Sequence, residues 1–231
     1  MLCLKKGGII MINWKQKERY YYKILMDKEH FGVELDEIVL LRGNQEIVNK
    51  NKYAFGYYIL DGEITIHDKT YTQNTLLWFT GGKTLSIFLQ KNVHALFIES
   101  HTLLKSEEIT FDVFIDELIE WNHPLKEKSC CSRHMIKAED YGVKFQTGIY
   151  TKGCEIPWHT HSIAHGFYVL DGILKVSYND KFELYGPGEF VVTEANEYIT
   201  HHQVEDSDYV RYIFIANGIF DFIVDGINLR A

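Results

Sequence analysis

The stretch His159-Thr160-His161-Ser162-Ile163-Ala164-His165 runs directly into Gly166-Phe167-Tyr168-Val169-Leu170-Asp171-Gly172. Three imidazoles fall at i, i+2 and i+6. On an extended strand residues of the same parity share a face, so all three rings can point to one side. Imidazole is a good donor for zinc, copper, iron and nickel, and a further residue on a second strand can complete the set. A lone histidine on a strand is an ordinary hydrogen-bonded residue. Three at this spacing, with more histidines on a later strand, point to a metal site.

The second half of the stretch reads as a strand closed by an Asp-Gly turn, a hairpin signal. The same signal occurs earlier in the chain. Residues 54–62 (AFGYYILDG) align with residues 164–172 (AHGFYVLDG), 110 positions on, with Ala, Gly, Tyr, Leu, Asp and Gly in common. A period this long is beyond that of a solenoid unit and reads as a duplicated domain.

Outward from the hairpin, the second half reads as short strands: Val143 to Thr151, Ile156 to His161, Gly166 to Leu170, Ile173 to Tyr178, Phe182 to Tyr185, Glu189 to Thr193, Thr200 to Glu205 and Tyr209 to Ile215. Strands this short and this regularly spaced make a β-sandwich or barrel. The first half follows a similar rhythm from Glu34 to Ile98. Between the halves, Phe111, Phe114, Ile115, Leu118 and Trp121 recur at three- and four-residue spacing, which predicts a short amphipathic helix ended by Asn122-His123-Pro124. The expected division is an N-terminal extension (1–33), a first barrel (34–105), a helix and linker (106–140) and a second barrel (141–231).

The chain has 231 residues, 46% of them hydrophobic and 24% charged, a globular balance. The net charge of -8 argues against a nucleic-acid partner, since phosphate binding wants a basic face. No apolar run reaches the roughly 18 residues of a membrane span, so no membrane partner is expected. The start is a poor secretory signal, and Met11 is an alternative initiator to Met1. Cys3, Cys130, Cys131 and Cys154 contain no CxxC pair and read as reduced thiols of a cytoplasmic protein.

The arrangement Gly153-x5-His159-x-His161-x3-His165-x6-Gly172, followed by Gly186-Pro187-Gly188 and His201 or His202, resembles the two motifs of the cupin superfamily. The duplication makes the chain similar to bicupins. The resemblance implies an all-β protein of two double-stranded β-helix (jelly-roll) barrels and a metal held inside the second. By it, His159, His161 and His165 are ligands, with His165 where cupins usually have glutamate. The fourth ligand is His201 or His202; parity with Val204, taken as an inward apolar residue, favours His202. At the offset of 110 the first barrel has Asn49, Asn51 and Phe55 in the places of His159, His161 and His165, with Ser86 opposite His202, so no metal is expected there.

The H-x-H-x3-H-G sequence looks like that of dihydroxyacetophenone dioxygenase-type cupins. It also looks like that of the ureidoglycine aminohydrolases, which carry acidic and amide ligands where this chain has His159 and His202. The implied function is a metal-dependent enzyme acting on a small oxygen-rich or carbonyl substrate. An oxidoreductase of the dioxygenase type comes first; a hydrolase, isomerase or lyase, or a non-catalytic ligand-binding bicupin, is the alternative. The implied cofactor is one divalent transition metal: iron first, then manganese, zinc or nickel. An all-imidazole shell leaves the metal's charge uncompensated and favours an anionic substrate. Glu194 and Tyr198, just before the second-motif histidine, and Gln146, on the strand before the first motif, are the candidates for acid–base or substrate contacts. The resemblance also implies a homodimer.

Overall fold

In a computed structural model of the chain, the residues described are 4–5, 8–9, 14–17, 19–48, 53–81, 84–103, 110–119, 130–154, 156–179, 181–204 and 207–228. They fall into two compact units, residues 3–119 and residues 120–231. Nearly all regular structure is antiparallel strand. No helix of the described residues is long and apolar enough to cross a membrane.

In the first unit a seven-stranded sheet runs Thr110–Ile115, Thr75–Gly81, Tyr53–Asp61, Val93–Leu103, Glu34–Leu40, Tyr20–Met26, Lys15–Lys17. A four-stranded sheet runs Gly43–Val48, Thr84–Leu89, Glu63–Ile66, Lys69–Thr72. Alternation along each strand turns one residue in two toward a shared core. Ile38, Leu40, Phe55, Tyr57, Ile59, Leu77 and Phe79 come from the first sheet, and Ile64, Ile66, Tyr71, Ile87 and Leu89 from the second. The two sheets thus close on one apolar interior, as in a jelly-roll barrel.

The second unit repeats this on a smaller scale. Its five-stranded sheet runs Cys130–Ile136, Val143–Thr151, Tyr209–Asn217, His165–Asp171, Phe190–Thr193, and its three-stranded sheet runs Lys181–Tyr185, Leu174–Tyr178, Ile199–Gln203. Tyr150, Phe167, Val169, Val191, Tyr212 and Phe214 of the first meet Leu174 and Val176 of the second in the core.

Both barrels are wider than the sequence suggests. Tyr20–Met26, within the expected N-terminal extension, pairs with Glu34–Leu40. Cys130–Ile136, within the expected linker, pairs with Val143–Thr151. Each is joined to its partner by one helical turn, Lys28–Phe31 or Ala138–Tyr141, closed by a glycine in the left-handed conformation: Gly32 (φ 73°) and Gly142 (φ 68°). The connecting helix is a correction. Thr110–Ile115 is an edge strand paired with Thr75–Gly81, followed by a single 3-10 turn at Asp116–Leu118. Phe111 and Val113 alternate into the core of the first unit, and that period of two prevails over the helical spacing. Trp121 and Asn122-His123-Pro124 lie outside the described residues, as do Asn49 and Asn51. Cys130, Cys131 and Cys154 are buried and are not in disulfides.

Candidate metal centre

The histidine-rich segment is not the regular strand its spacing suggests. His159 and Thr160 form isolated bridges to Ile199 and Ile223, and regular pairing resumes at His165. Both ends are anchored: His159 and Ile199 exchange backbone hydrogen bonds, each 2.9 Å, and His165 pairs with Ala216 on one side and Thr193 on the other. The short irregular run between them carries the rings into the barrel, where His159, His161, His165 and His201 are all 5% exposed or less.

His159, His161 and His201 form a group whose ligand atoms lie within 4.8 Å of one another. Their rings stand nearly upright to each other: His159 and His161 are 4.5 Å apart at 69°, and His159 and His201 5.0 Å apart at 89°. His165 lies beside them, its ring 4.6 Å from that of His161, though outside that group. Two hydrogen bonds fix which nitrogens can ligate. A carbonyl can only accept, so His159 Nδ1–H donates to the Pro157 carbonyl at 2.7 Å and His161 Nδ1–H to that of Asp221. Both rings are therefore held in the tautomer with its lone pair on Nε2. Both Nε2 atoms are buried and, among the described residues, without a hydrogen-bond partner; His165 is buried beside them, with a backbone partner at Ile163. Buried nitrogen lone pairs are costly to leave unsatisfied. A divalent ion would satisfy several at once, so the donor set fits a metal.

His201 Nδ1 meets the Tyr150 hydroxyl at 2.9 Å. Tyr150 also hydrogen-bonds Tyr212. If Tyr150 passes its proton to Tyr212 and accepts from His201 Nδ1–H, His201 also presents Nε2 to the cluster. Burial holds the imidazoles neutral. It lowers His159 to about 4 and His161 to about 3. His165 and His201 are also pushed well below their ordinary value by burial, and next by the neighbouring histidines.

The chain after the last long strand closes one side. Gly218 (φ 99°) turns it, and Phe220 and Phe222 then lie on His161 and His159 with ring centroids 3.9 and 4.1 Å away. Asp221, between them, supplies the carbonyl to His161, and its carboxylate accepts the Ser162 N–H at 2.8 Å. Thr160 and Ile223 exchange backbone hydrogen bonds of 2.9 and 3.0 Å. Nothing in the sequence marks a backbone carbonyl as a histidine's partner. The Phe-Asp-Phe run at 220–222 is the one trace of this strap in the sequence.

The structure chooses between the two adjacent histidines. Ile199, His201 and Gln203 turn inward and His202 does not, so the parity argument for His202 is one residue out of phase. Its premise fails because Val204 lies just beyond the strand and is only half-buried. Glu194 is exposed, and Tyr198 is 45% exposed and stacked on Trp158 at 5.2 Å, so neither points into the barrel. Gln146 has the interior parity of Tyr150, and its Oε1 is buried without a partner. In the first barrel Phe55 stacks on Phe79, with ring centroids 5.0 Å apart, and Ser86 is exposed.

Residues 147–226 match the family described as Cupin domain. No curated protein sequence matches the chain. Among solved structures, a Pseudomonas aeruginosa protein described as glyoxylate-induced superposes with a TM-score of 0.73 at 14% identity, over 89% of this chain and 84% of its own. A cupin 2 conserved barrel domain protein from Leptotrichia buccalis gives 0.64 at 18%, over 88% and 91%. Oxalate decarboxylase from Lactobacillus farciminis gives 0.63 at 11%, over 89% and 83%. Likeness at such identities speaks for the fold alone. The second barrel thus matches a cupin domain over residues 147–226, and the likeness to solved structures shows a fold of two cupin-type barrels across the chain.

Proposed function

We propose that the second barrel is a divalent-metal centre acting on a small oxygen-rich or carbonyl substrate, as an oxidoreductase of the dioxygenase type. The observation that carries this is the group His159, His161 and His201, whose ligand atoms lie within 4.8 Å of one another, with backbone carbonyls setting the tautomers of His159 and His161 and leaving their Nε2 atoms unpartnered. His165 stands ready as a fourth donor. A bound divalent ion would supply Lewis acidity and, if iron(II), a site where oxygen and substrate meet. The protein's part is to hold the rings neutral and oriented. Phe167, Phe214, Phe220 and Phe222 surround them with apolar surface, which excludes water and strengthens electrostatic contacts inside. Gln146 offers the substrate an unpaired amide oxygen.

A second reading is a lyase, hydrolase or isomerase using the ion only as a Lewis acid. Bacillus subtilis oxalate decarboxylase, a structural relative at 12% identity, has Mn(II) centres, and this favours manganese under that reading.

Elemental analysis of protein purified without added metal, beside His161→Ala, tests both. Near-stoichiometric iron, lost in the variant, supports oxygen chemistry and directs oxygen-uptake screening toward catechols, β-diketones and hydroxyketones. Manganese, zinc or nickel supports the second reading. An absence of metal in both proteins after reconstitution overturns the metal centre.

A further inference from the structure

Lys144 lies on the strand Val143–Thr151, at the same parity as Gln146 and Tyr150, so its side chain enters the second barrel. The residue is only 8% exposed. Lysine is seldom buried this far without a counter-charge. Its ammonium lies over two aromatic faces, Phe220 at 5.2 Å and Phe214 at 5.8 Å. No carboxylate among the described residues reaches it within ion-pair distance. Glu139 acts on it only at longer range, and burial lowers its pKa. The magnitudes do not balance. A cation–π contact recovers only part of what drawing an ammonium largely out of water costs.

Its position relative to the histidines is set by register. Lys144 pairs with Ala216, Ala216 with His165, and His165 with Thr193. These four form one row across the sheet. The small side chain of Ala216 leaves space between Lys144 and His165, whose backbones are two strand spacings, about 10 Å, apart. Phe220 of the strap occupies that space, 5.2 Å from the His165 ring and 3.9 Å from that of His161. At the far end of the row, Thr193 is buried, with the Tyr178 hydroxyl as its side-chain partner.

We infer that Lys144 is a substrate-binding residue that takes an anionic group, two strands along the sheet from His165, when Phe220 gives up the intervening space. The substrate class is a short acid with two functions: an oxygen group that reaches the imidazole cluster and a carboxylate that reaches Lys144. This rests on reading the cluster as a metal centre. With neutral imidazoles, a divalent ion and an unpaired ammonium, the interior lacks negative charge, and a dianionic ligand supplies it.

The test uses manganese-loaded protein and titration calorimetry with malonate, succinate and 2-oxoglutarate, each beside the monocarboxylate of equal chain length. Wild type should prefer at least one dicarboxylate. Lys144→Met should weaken it roughly tenfold or more, the scale of a charge-assisted contact, while monocarboxylate binding and metal content stay unchanged. Lys144→Arg should keep part of the preference. Met retains the aliphatic stem, so without ligand Lys144→Met should melt at or above wild type. A lower midpoint would show that the fold needs the ammonium and would overturn the proposal. So would a wild type without preference for dicarboxylates, or a Lys144→Met variant that binds them like wild type. Wild-type protein that takes up no metal fails at the centre itself, which the metal assay separates from a failure at Lys144.

Discussion

At the scale of single residues, the site depends on which ring nitrogen keeps its proton. Pro157 and Asp221 settle this for His159 and His161 through backbone carbonyls, which no side-chain substitution removes. His201 relies on a side chain, Tyr150, and is the vulnerable member. Tyr150→Phe should therefore weaken metal affinity about 10- to 100-fold with little change in fold, measured by competition with a chelator. Acid should act late on the metal. Neutral imidazole would be the ligand in the proposed centre, and folded-state values of about 4 and about 3 for His159 and His161 lie below the ordinary 6.5. Metal should stay bound at about pH 5.5 and be lost by roughly pH 3–4, as followed by dialysis and elemental analysis. The same shifts link to metal-free stability. The contribution of these two groups is complete above 6.5 and is lost as pH falls through their folded values. The buried clustering of His159, His161 and His165 was legible because their spacing is local. His201 was not separable from His202, because the phase of a five-residue strand depends on the partner it meets. Glu194 and Tyr198 misled because closeness in sequence to a ligand says nothing about which side of a sheet a loop residue faces.

Individual strands pack through glycines placed under rings. A Cβ on Gly148 would lie 2.3 Å from the Tyr212 ring, and one on Gly166 would lie 2.3 Å from that of Phe190. In the first barrel, one on Gly56 would lie 2.6 Å from Trp78. Gly148→Ala should push Tyr212 away and disturb Tyr150 with it. The expected result is a loss of about 1–3 kcal/mol in stability, measured by urea unfolding, together with weakened metal binding. Alternation made most strands of the second barrel legible, and Val143–Thr151 has the bounds its pattern suggests. Thr110–Ile115 was not, because its apolar residues fit a period of two and a helical spacing alike. Neither was Tyr20–Met26, where tyrosines on both faces hide the alternation.

Across the whole molecule, the duplication is longer than its obvious signature. Tyr20–Met26 and Cys130–Ile136 stand in the same relation as residues 54–62 and 164–172, as do the left-handed pairs Gly32 with Gly142 and Gly62 with Gly172. Only the hairpin kept enough identity to be read from sequence; the rest kept backbone geometry while its side chains diverged. The interiors diverged too, toward aromatic packing in the first barrel. Among its polar residues Asp36 is buried, its Oδ1 has no partner, and burial, then Glu34, raises its pKa from 3.8 to about 7. A raised carboxyl favours the folded state below about pH 4, and that advantage declines as pH climbs to about 7. Asp36→Asn removes the titration. The variant should match wild type at pH 4 and melt higher at pH 8, by up to about 4 kcal/mol in stability, read from thermal unfolding at both pH values.

The strap from Gly218 to Val224 also bears on time. It covers two of the imidazoles with phenyl rings, and it holds His161 in its ligating tautomer. If the proposed centre holds an ion, lifting the strap would uncover it and loosen His161 in the same motion, so exchange would wait on breaking the Thr160–Ile223 pair. A centre built this way would exchange slowly whatever its equilibrium affinity.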